Sequence, residues 1–175
     1  MDFYKKQRFI SLDNFNFVLL PPDISHLYYN MLSHKITHLF EQRGYLPLTE
    51  EEKENYTKVL ISLGIPLNSA FAAFNLSAIG PTFAERGYEL YNVCWFKLYS
   101  KDLDYAIENA SKIFLLPEEY LPLDSFEAES GFFYNRNTGE VLHLQLGQML
   151  SDFQNNKLNP QWKDFNTFLE WFFNV

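Results

Sequence analysis

The stretch Gly131-Phe132-Phe133-Tyr134-Asn135-Arg136-Asn137-Thr138-Gly139-Glu140-Val141-Leu142-His143-Leu144 decides the fold. Its two ends are apolar and β-prone, and Asn135 to Glu140 between them are rich in turn formers. That composition predicts a β-hairpin with a loop longer than the two-residue minimum. Side chains alternate along a strand, so His143 shares a face with Val141 and Gln145, opposite Leu142 and Leu144. Upstream, Tyr88-Glu89-Leu90-Tyr91-Asn92-Val93-Cys94-Trp95-Phe96 predicts one strand or two closely joined ones.

Helical patterns flank this β region. Thr49-Glu50-Glu51-Glu52 has the form of a capping box, and Tyr56, Val59, Leu60 and Leu63 follow at i, i+3, i+4 and i+7 before Gly64. Ile65-Pro66 then leads to a short helix capped by Asn68, with Phe71 and Phe74 on one face. Nearer the start, Phe15, Phe17 and Leu19 alternate as in a short strand that Pro21-Pro22 ends. Asp23 is the expected cap of a helix reaching Arg43, with Gly44 as its stop, and Ile24, Leu27, Tyr28, Met31, Leu32, Ile36, Leu39 and Phe40 form its buried stripe. Residues 102–114 predict a helix capped by Asp102, and Trp162, Phe165, Phe168, Leu169 and Phe172 mark a closing helix. The expected class is α+β: N-terminal helices, an antiparallel β-sheet with a central hairpin, and a closing C-terminal helix. No repeat or Gly/Ser linker divides the chain, so residues 1–175 are expected to form a single domain, with 1–48 as an N-terminal strand/helix extension.

The 175 residues carry 22 Asp+Glu against 14 Lys+Arg, a formal charge of −8. With 47% hydrophobic residues and 32 aromatics (18 Phe, 11 Tyr, 3 Trp), the chain can bury a core without metal or disulfide staples. A sequence pI near 4.9 argues against a nucleic-acid partner, whose phosphates call for a basic footprint. Cys94 stands alone, which excludes an internal disulfide and a cysteine-rich zinc site. No apolar run is long enough to span a membrane and no secretory signal opens the chain, so the expected location is the cytosol, with no membrane partner.

Catalytic patterns are sparse. The chain has no Gly-x-Ser-x-Gly elbow, no phosphate-binding Gly-x4-Gly-Lys-Ser/Thr loop and no Gly-x-Gly-x-x-Gly fingerprint. His34 and His38 have the i, i+4 spacing of a metal face, but Lys35 stands where a zinc protease places its glutamate base. Cys94 with His143 suggests a nucleophile and base, against the ordinary reading of two structural residues. Asp102 with Asp104, and Glu127 with Glu129, are carboxylate pairs whose bland reading is helix caps and solvated loop charges. The expectation is a protein that is not an enzyme and holds neither cofactor nor metal.

The acidic charge is concentrated. Between Lys101 and Glu140 nine acids face three bases, and Glu118, Glu119, Asp124, Glu127 and Glu129 form a run with no base among them. Interleaved Tyr120 and Phe126 are candidate aromatic anchors for a partner that the carboxylates attract. The alternative is a solvated loop whose apolar residues are tucked into the core.

The order of these features resembles the SUKH superfamily. Leu63-Gly64-Ile65-Pro66, continuing to Phe74, is similar to that family's entry into a short helix ending with an aromatic on the core. Gly131-Phe132-Phe133-Tyr134-Asn135, with Thr138-Gly139-Glu140-Val141, looks like its central hairpin. Phe165-Asn166-Thr167-Phe168-Leu169-Glu170-Trp171-Phe172 looks like its closing helix. The likeness runs over roughly residues 50–173, and departs where Asn75-Leu76-Ser77-Ala78-Ile79-Gly80 replaces the family's frequent Asn-Gly-Gly turn. It implies a bacterial immunity protein that binds and occludes a cognate polymorphic or contact-dependent toxin, frequently a nuclease with a basic site. Toxin binding then falls to Glu118, Glu119, Asp124, Glu127 and Glu129, with Tyr120 and Phe126 as anchors. The competing expectations are an intracellular adaptor or regulatory module of the same fold and, less favoured, a hydrolase using the carboxylates or the histidine pair.

Overall fold

Two strands, β4 (Ser130–Asn135) and β5 (Val141–Gln145), form the expected antiparallel hairpin, with Phe132 opposite His143 and Phe133 opposite Leu142. (Strand numbers follow chain order; β1 to β3 are given below.) The turn is organised by Asn135, whose buried Oδ1 accepts from the N–H groups of Asn137 (2.9 Å) and Thr138 (3.1 Å). The computed structural model describes residues 31–77, 79–126 and 129–175. The expected strand at 15–19, residues 23–30 of the expected first helix, and Glu127 lie outside the described residues.

Around the hairpin, the described residues form an α+β fold of seven helices and two small antiparallel sheets. The chain order is α1 (His34–Arg43), α2 (Glu50–Ser62), α3 (Ala70–Asn75), β1 (Thr82–Glu85), β2 (Tyr88–Tyr91), α4 (Val93–Tyr99), α5 (Asp102–Ile113), β3 (Tyr120–Pro122), β4, β5, α6 (Gln148–Gln154) and α7 (Phe165–Phe173). Strands β3, β4 and β5 make one sheet with β4 central, and β1 and β2 make the other. The Tyr91 N–H donates to the Leu123 carbonyl (2.7 Å), joining the end of β2 to the chain just past β3.

Several local signals act as the sequence dictates. Thr49 and Glu52 exchange both bonds of a capping box, Thr49 N–H to Glu52 Oε2 at 2.7 Å and Glu52 N–H to Thr49 Oγ1 at 3.3 Å. Asp164 caps α7 by accepting from the Thr167 N–H (2.8 Å), and α7 buries Phe165, Phe168, Leu169, Phe172 and Phe173. Each of these side chains contributes about 1.5–3 kcal/mol of transfer free energy when fully buried. Lys35 reaches from α1 to Glu170 on α7 (3.0 Å), and Asn166 receives the Ser33 N–H (2.9 Å).

Other expectations need correction. Val93–Phe96 are helical, not a continuation of the strand, because the Asn92 side chain caps α4 by accepting from the Trp95 N–H (3.1 Å). The Val93 N–H is fixed in turn by Asn75 Oδ1 (2.9 Å), and the Asn92 amide donates to the Asn75 carbonyl (3.3 Å). This buried exchange overrides the β-preference of Val, Trp and Phe. Ser69, not Asn68, caps α3 by accepting from the Ala72 N–H (3.1 Å). Lys101 occupies the cap position of α5, which leaves Asp102 in the first turn. The first helix does not run unbroken to Arg43: residues 31–33 are non-helical and Ser33 precedes α1. Trp162 lies ahead of α7, where its backbone exchanges both bonds with Val141.

Both faces of the three-stranded sheet are buried. One carries Phe132, Tyr134 and Val141 into the larger core with α2, α3 and α7; there Tyr134 stacks on Phe71 at 4.1 Å and Phe132 packs on Phe168 at 5.3 Å. The other carries Phe133, Leu142 and Leu144 into a second core with Phe114, Leu116 and the side chains of α6. The sheet is therefore a partition between two cores.

Gly131 sits where the partition admits no side chain. A Cβ there would lie 2.5 Å from Phe126 Cβ and 2.8 Å from Asp124 Oδ1. Gly131→Ala is expected to lower the free energy of unfolding by about 1–3 kcal/mol, the usual cost of overpacking. Urea denaturation measures it, and a loss below about 0.5 kcal/mol would show that the 124–126 turn yields freely.

Candidate functional site

The acidic run begins as the chain leaves α5 and enters β3. Glu118 is exposed, Glu119 is half-buried, and both supply backbone carbonyls to Arg136: the Arg136 N–H donates to Glu119 O (2.8 Å) and its guanidinium to Glu118 O. The same guanidinium donates to Leu63 O (2.7 Å), at the end of α2. The one arginine beside the acidic run is thus engaged by peptide oxygens, and none of the ion pairs among the described residues involves Glu118, Glu119 or Glu129. Glu129 is exposed in a left-handed backbone conformation (φ 62°), with its carbonyl accepting from the Leu146 N–H (2.9 Å).

Asp124 has a different place. Its Oδ1 accepts from the Phe126 N–H (2.9 Å) and its Oδ2 from the Phe132 N–H (3.1 Å), so this carboxylate ties the connecting loop to β4. Removing such an acceptor leaves buried donors unmade, a loss of about 1–3 kcal/mol. Tyr120 and Phe126 point their rings into the second core, Tyr120 edge-on to Phe153 (5.6 Å) and Phe126 against Phe114 and Phe133 (5.7 Å each). Both are half-buried. Within the acidic run, Glu118, Glu119 and Glu129 are therefore the described carboxylates whose side chains hold no part of the fold together.

The remaining candidates are dispersed. His34 and His38 are exposed with ring centroids 6.2 Å apart; His38 contacts Gln42 (2.9 Å) and lies 3.9 Å from Glu41. Among the described residues no three His, Cys, Asp or Glu side chains come together as a metal site. Cys94 is buried on α4, its Sγ donating to the Tyr56 carbonyl (3.6 Å), and burial pushes the thiol well above its ordinary value. No hydrogen bond joins it to His143, which packs on Phe132 (5.0 Å) in the hairpin. Asp104 pairs with Lys97, and Asp102 is exposed. A cleft of about 190 Å³ beside α1, lined by Leu32, Phe40, Tyr45 and Pro47 with Glu41 at its edge, contains no histidine or cysteine. That volume is below the roughly 300–1,000 Å³ common for small-molecule sites. No helix among the described residues is long and apolar enough to cross a membrane.

Large apolar side chains left in solvent were not read from the sequence as surface features. Leu98, Tyr99, Tyr105, Ile113 and Leu115 are all exposed along α4, α5 and the turn that follows. The available signal was weak: the alternation Ile113-Phe114-Leu115-Leu116 places one pair in the second core and the other outside it.

Burial holds the half-buried His143 below its ordinary pKa near 6.5, favouring the neutral ring in the folded chain. The unfolded chain then binds the proton first, so the stabilisation is present above 6.5 and is lost as pH falls through the folded value. His143→Gln is expected to flatten the decline of stability between pH 6.5 and about 5. Urea midpoints across that range test it, and an unchanged slope would assign the decline to other groups. Set against protein-family models, curated proteins and solved structures, this chain matches none.

Proposed function

We propose that this chain is a SUKH-type immunity protein that binds a bacterial toxin domain and occludes its basic active surface. The observation that carries this reading is unneutralised acidic charge around the three-stranded sheet: Glu118 and Glu119, beside the hairpin turn, and Glu129, at the opposite end of β4, make no ion pair, and Arg136 next to Glu118 and Glu119 is held by backbone carbonyls. A basic toxin surface supplies the missing counter-charge, with Glu127 adding to the same run. The α+β order supports the reading too, with a short helix that buries Phe71 and Phe74, a central hairpin and a closing aromatic helix as in the resemblance.

The mechanism is stoichiometric and needs no bond made or broken. Carboxylates on a protein surface attract a basic partner over about a Debye length, roughly 8–10 Å at physiological salt. Once docked, they stand where the toxin would hold a phosphate backbone. A nuclease so covered is silent because its substrate is excluded, and the chain acts from the cytosol of the cell that makes both proteins.

Co-expression with the C-terminal domain encoded by an adjoining secreted-protein gene is the direct test, with cell survival as readout. Glu118→Lys combined with Glu129→Lys is expected to slow association about tenfold or more at low salt and to leave the unfolding midpoint unchanged. Equal association rates with and without the charge reversals would overturn the acidic surface. Tight binding without protection would favour the adaptor or regulatory reading.

A further inference from the structure

Of the ten exposed large hydrophobic side chains among the described residues, five lie between positions 98 and 115: Leu98, Tyr99, Tyr105, Ile113 and Leu115. Tyr105 and Leu115 are 66% and 68% exposed. Tyr105 and Ile113 stand on α5 about 12 Å apart along its axis and about 80° apart around it, and Leu115 follows just beyond the helix end. The turn there is built to turn Leu115 outward: Phe114 and Leu116 on either side are buried in the second core, and Leu115 itself has φ 53°. At the other end, Tyr99 leans on the half-buried Trp95 (5.6 Å), giving that ring a fixed footing.

Charge around this ridge is arranged in two zones. Along it the cations are matched, Lys97 with Asp104 and Lys112 with Glu108, so its centre is close to neutral. Past Leu115 the chain turns into Glu118 and Glu119, which have no ion pair. An apolar and aromatic centre beside a charged rim is the anatomy of a protein docking surface. We infer that the ridge formed by Tyr105, Ile113 and Leu115 is the anchoring part of a docking surface for a basic protein, with Glu118 and Glu119 as its rim.

This deepens the reading above and rests on it for the identity of the partner. It reassigns the anchor from Tyr120 and Phe126, whose rings are engaged in the second core, to side chains that solvent already reaches. The charge also selects the occupant. A second copy of this chain would bring a molecule of formal charge −8 and its acidic rim against the same rim, which like charges oppose. A basic partner meets the opposite condition.

The test pans a phage-displayed random peptide library against the full chain. Recovered peptides are expected to combine Lys or Arg with a large apolar residue. Synthetic versions should bind Leu115→Asp and Tyr105→Ala about 10- to 100-fold more weakly, and Leu46→Asp, equally exposed on the turn between α1 and α2, with unchanged affinity. Both ridge residues are on the surface, and unfolding midpoints confirm that each variant is folded. Failure to enrich such peptides, equal binding to the ridge variants, or a solution dimer dispersed by Tyr105→Ala would each overturn the inference. Neutralisation assays separate the two proposals. Peptides that map to the ridge with no toxin neutralised leave the surface standing and remove the toxin reading, whereas protection that survives both ridge substitutions does the reverse.

Discussion

β4 is packed on both faces, and that constraint organises the molecule. Phe132 and Tyr134 enter the larger core while Phe133, between them, enters the second. A strand so placed cannot slip by one residue, because the slip would exchange the two cores' side chains. Its backbone must be satisfied within the protein as well. β3 and β5 do this along its length, and the Asp124 carboxylate receives the Phe132 N–H where β3 has ended. Gly131 follows from the same geometry, since the loop that delivers Asp124 crosses at a distance that excludes a methyl group.

The partition also determines which carboxylates of the acidic run are tied into the fold. Asp124 and Phe126 are needed to hold the loop against β4, and Tyr120 closes the second core against Phe153. What remains outward is the chain on either side of that loop: Glu118 and Glu119 where α5 gives way to β3, and Glu129 where the chain enters β4. Charge density and aromatic anchoring, adjacent in sequence, are therefore separated in space. Glu118 and Glu119 stay at the hairpin-turn end of the sheet and Glu129 at its other end, and the exposed Tyr105, Ile113 and Leu115 belong to α5 and the turn after it.

Legibility followed the range of the determining interactions. The hairpin, the capping box at Thr49 and the aromatic face of α7 are written in neighbouring residues, and their patterns are readable directly. The helix α4 was not, because Val93-Cys94-Trp95-Phe96 is β-prone and its helical state depends on Asn75, distant in sequence, meeting Asn92 and the Val93 N–H. β3 was missed for a related reason: three residues, one of them proline, carry too short a pattern to declare a strand. In the candidate site, the concentration of carboxylates was legible and their roles were not. Whether a carboxylate faces solvent, like Glu118, or holds two backbone donors, like Asp124, depends on a strand eight residues further on. The direction of Tyr120 and Phe126 depends on Phe114, Phe133 and Phe153, which no local pattern connects to them.

A surface carried by such a partition has a consequence for affinity. Binding loses free energy whenever loops and long side chains must be ordered at the moment of contact. Here the chain that presents Glu118 and Glu119 is already fixed, by Arg136 bridging their carbonyls to the end of α2 and by the strand pairing of β3 that follows. The backbone that presents Leu115 is held by Phe114 and Leu116 inside the second core. Only side-chain rotamers remain to be restricted, at about 0.5–1.5 kcal/mol for each immobilised side chain. Arg136 thus orders the backbone around Glu118 and Glu119 by donating to peptide oxygens, without forming an ion pair with either carboxylate.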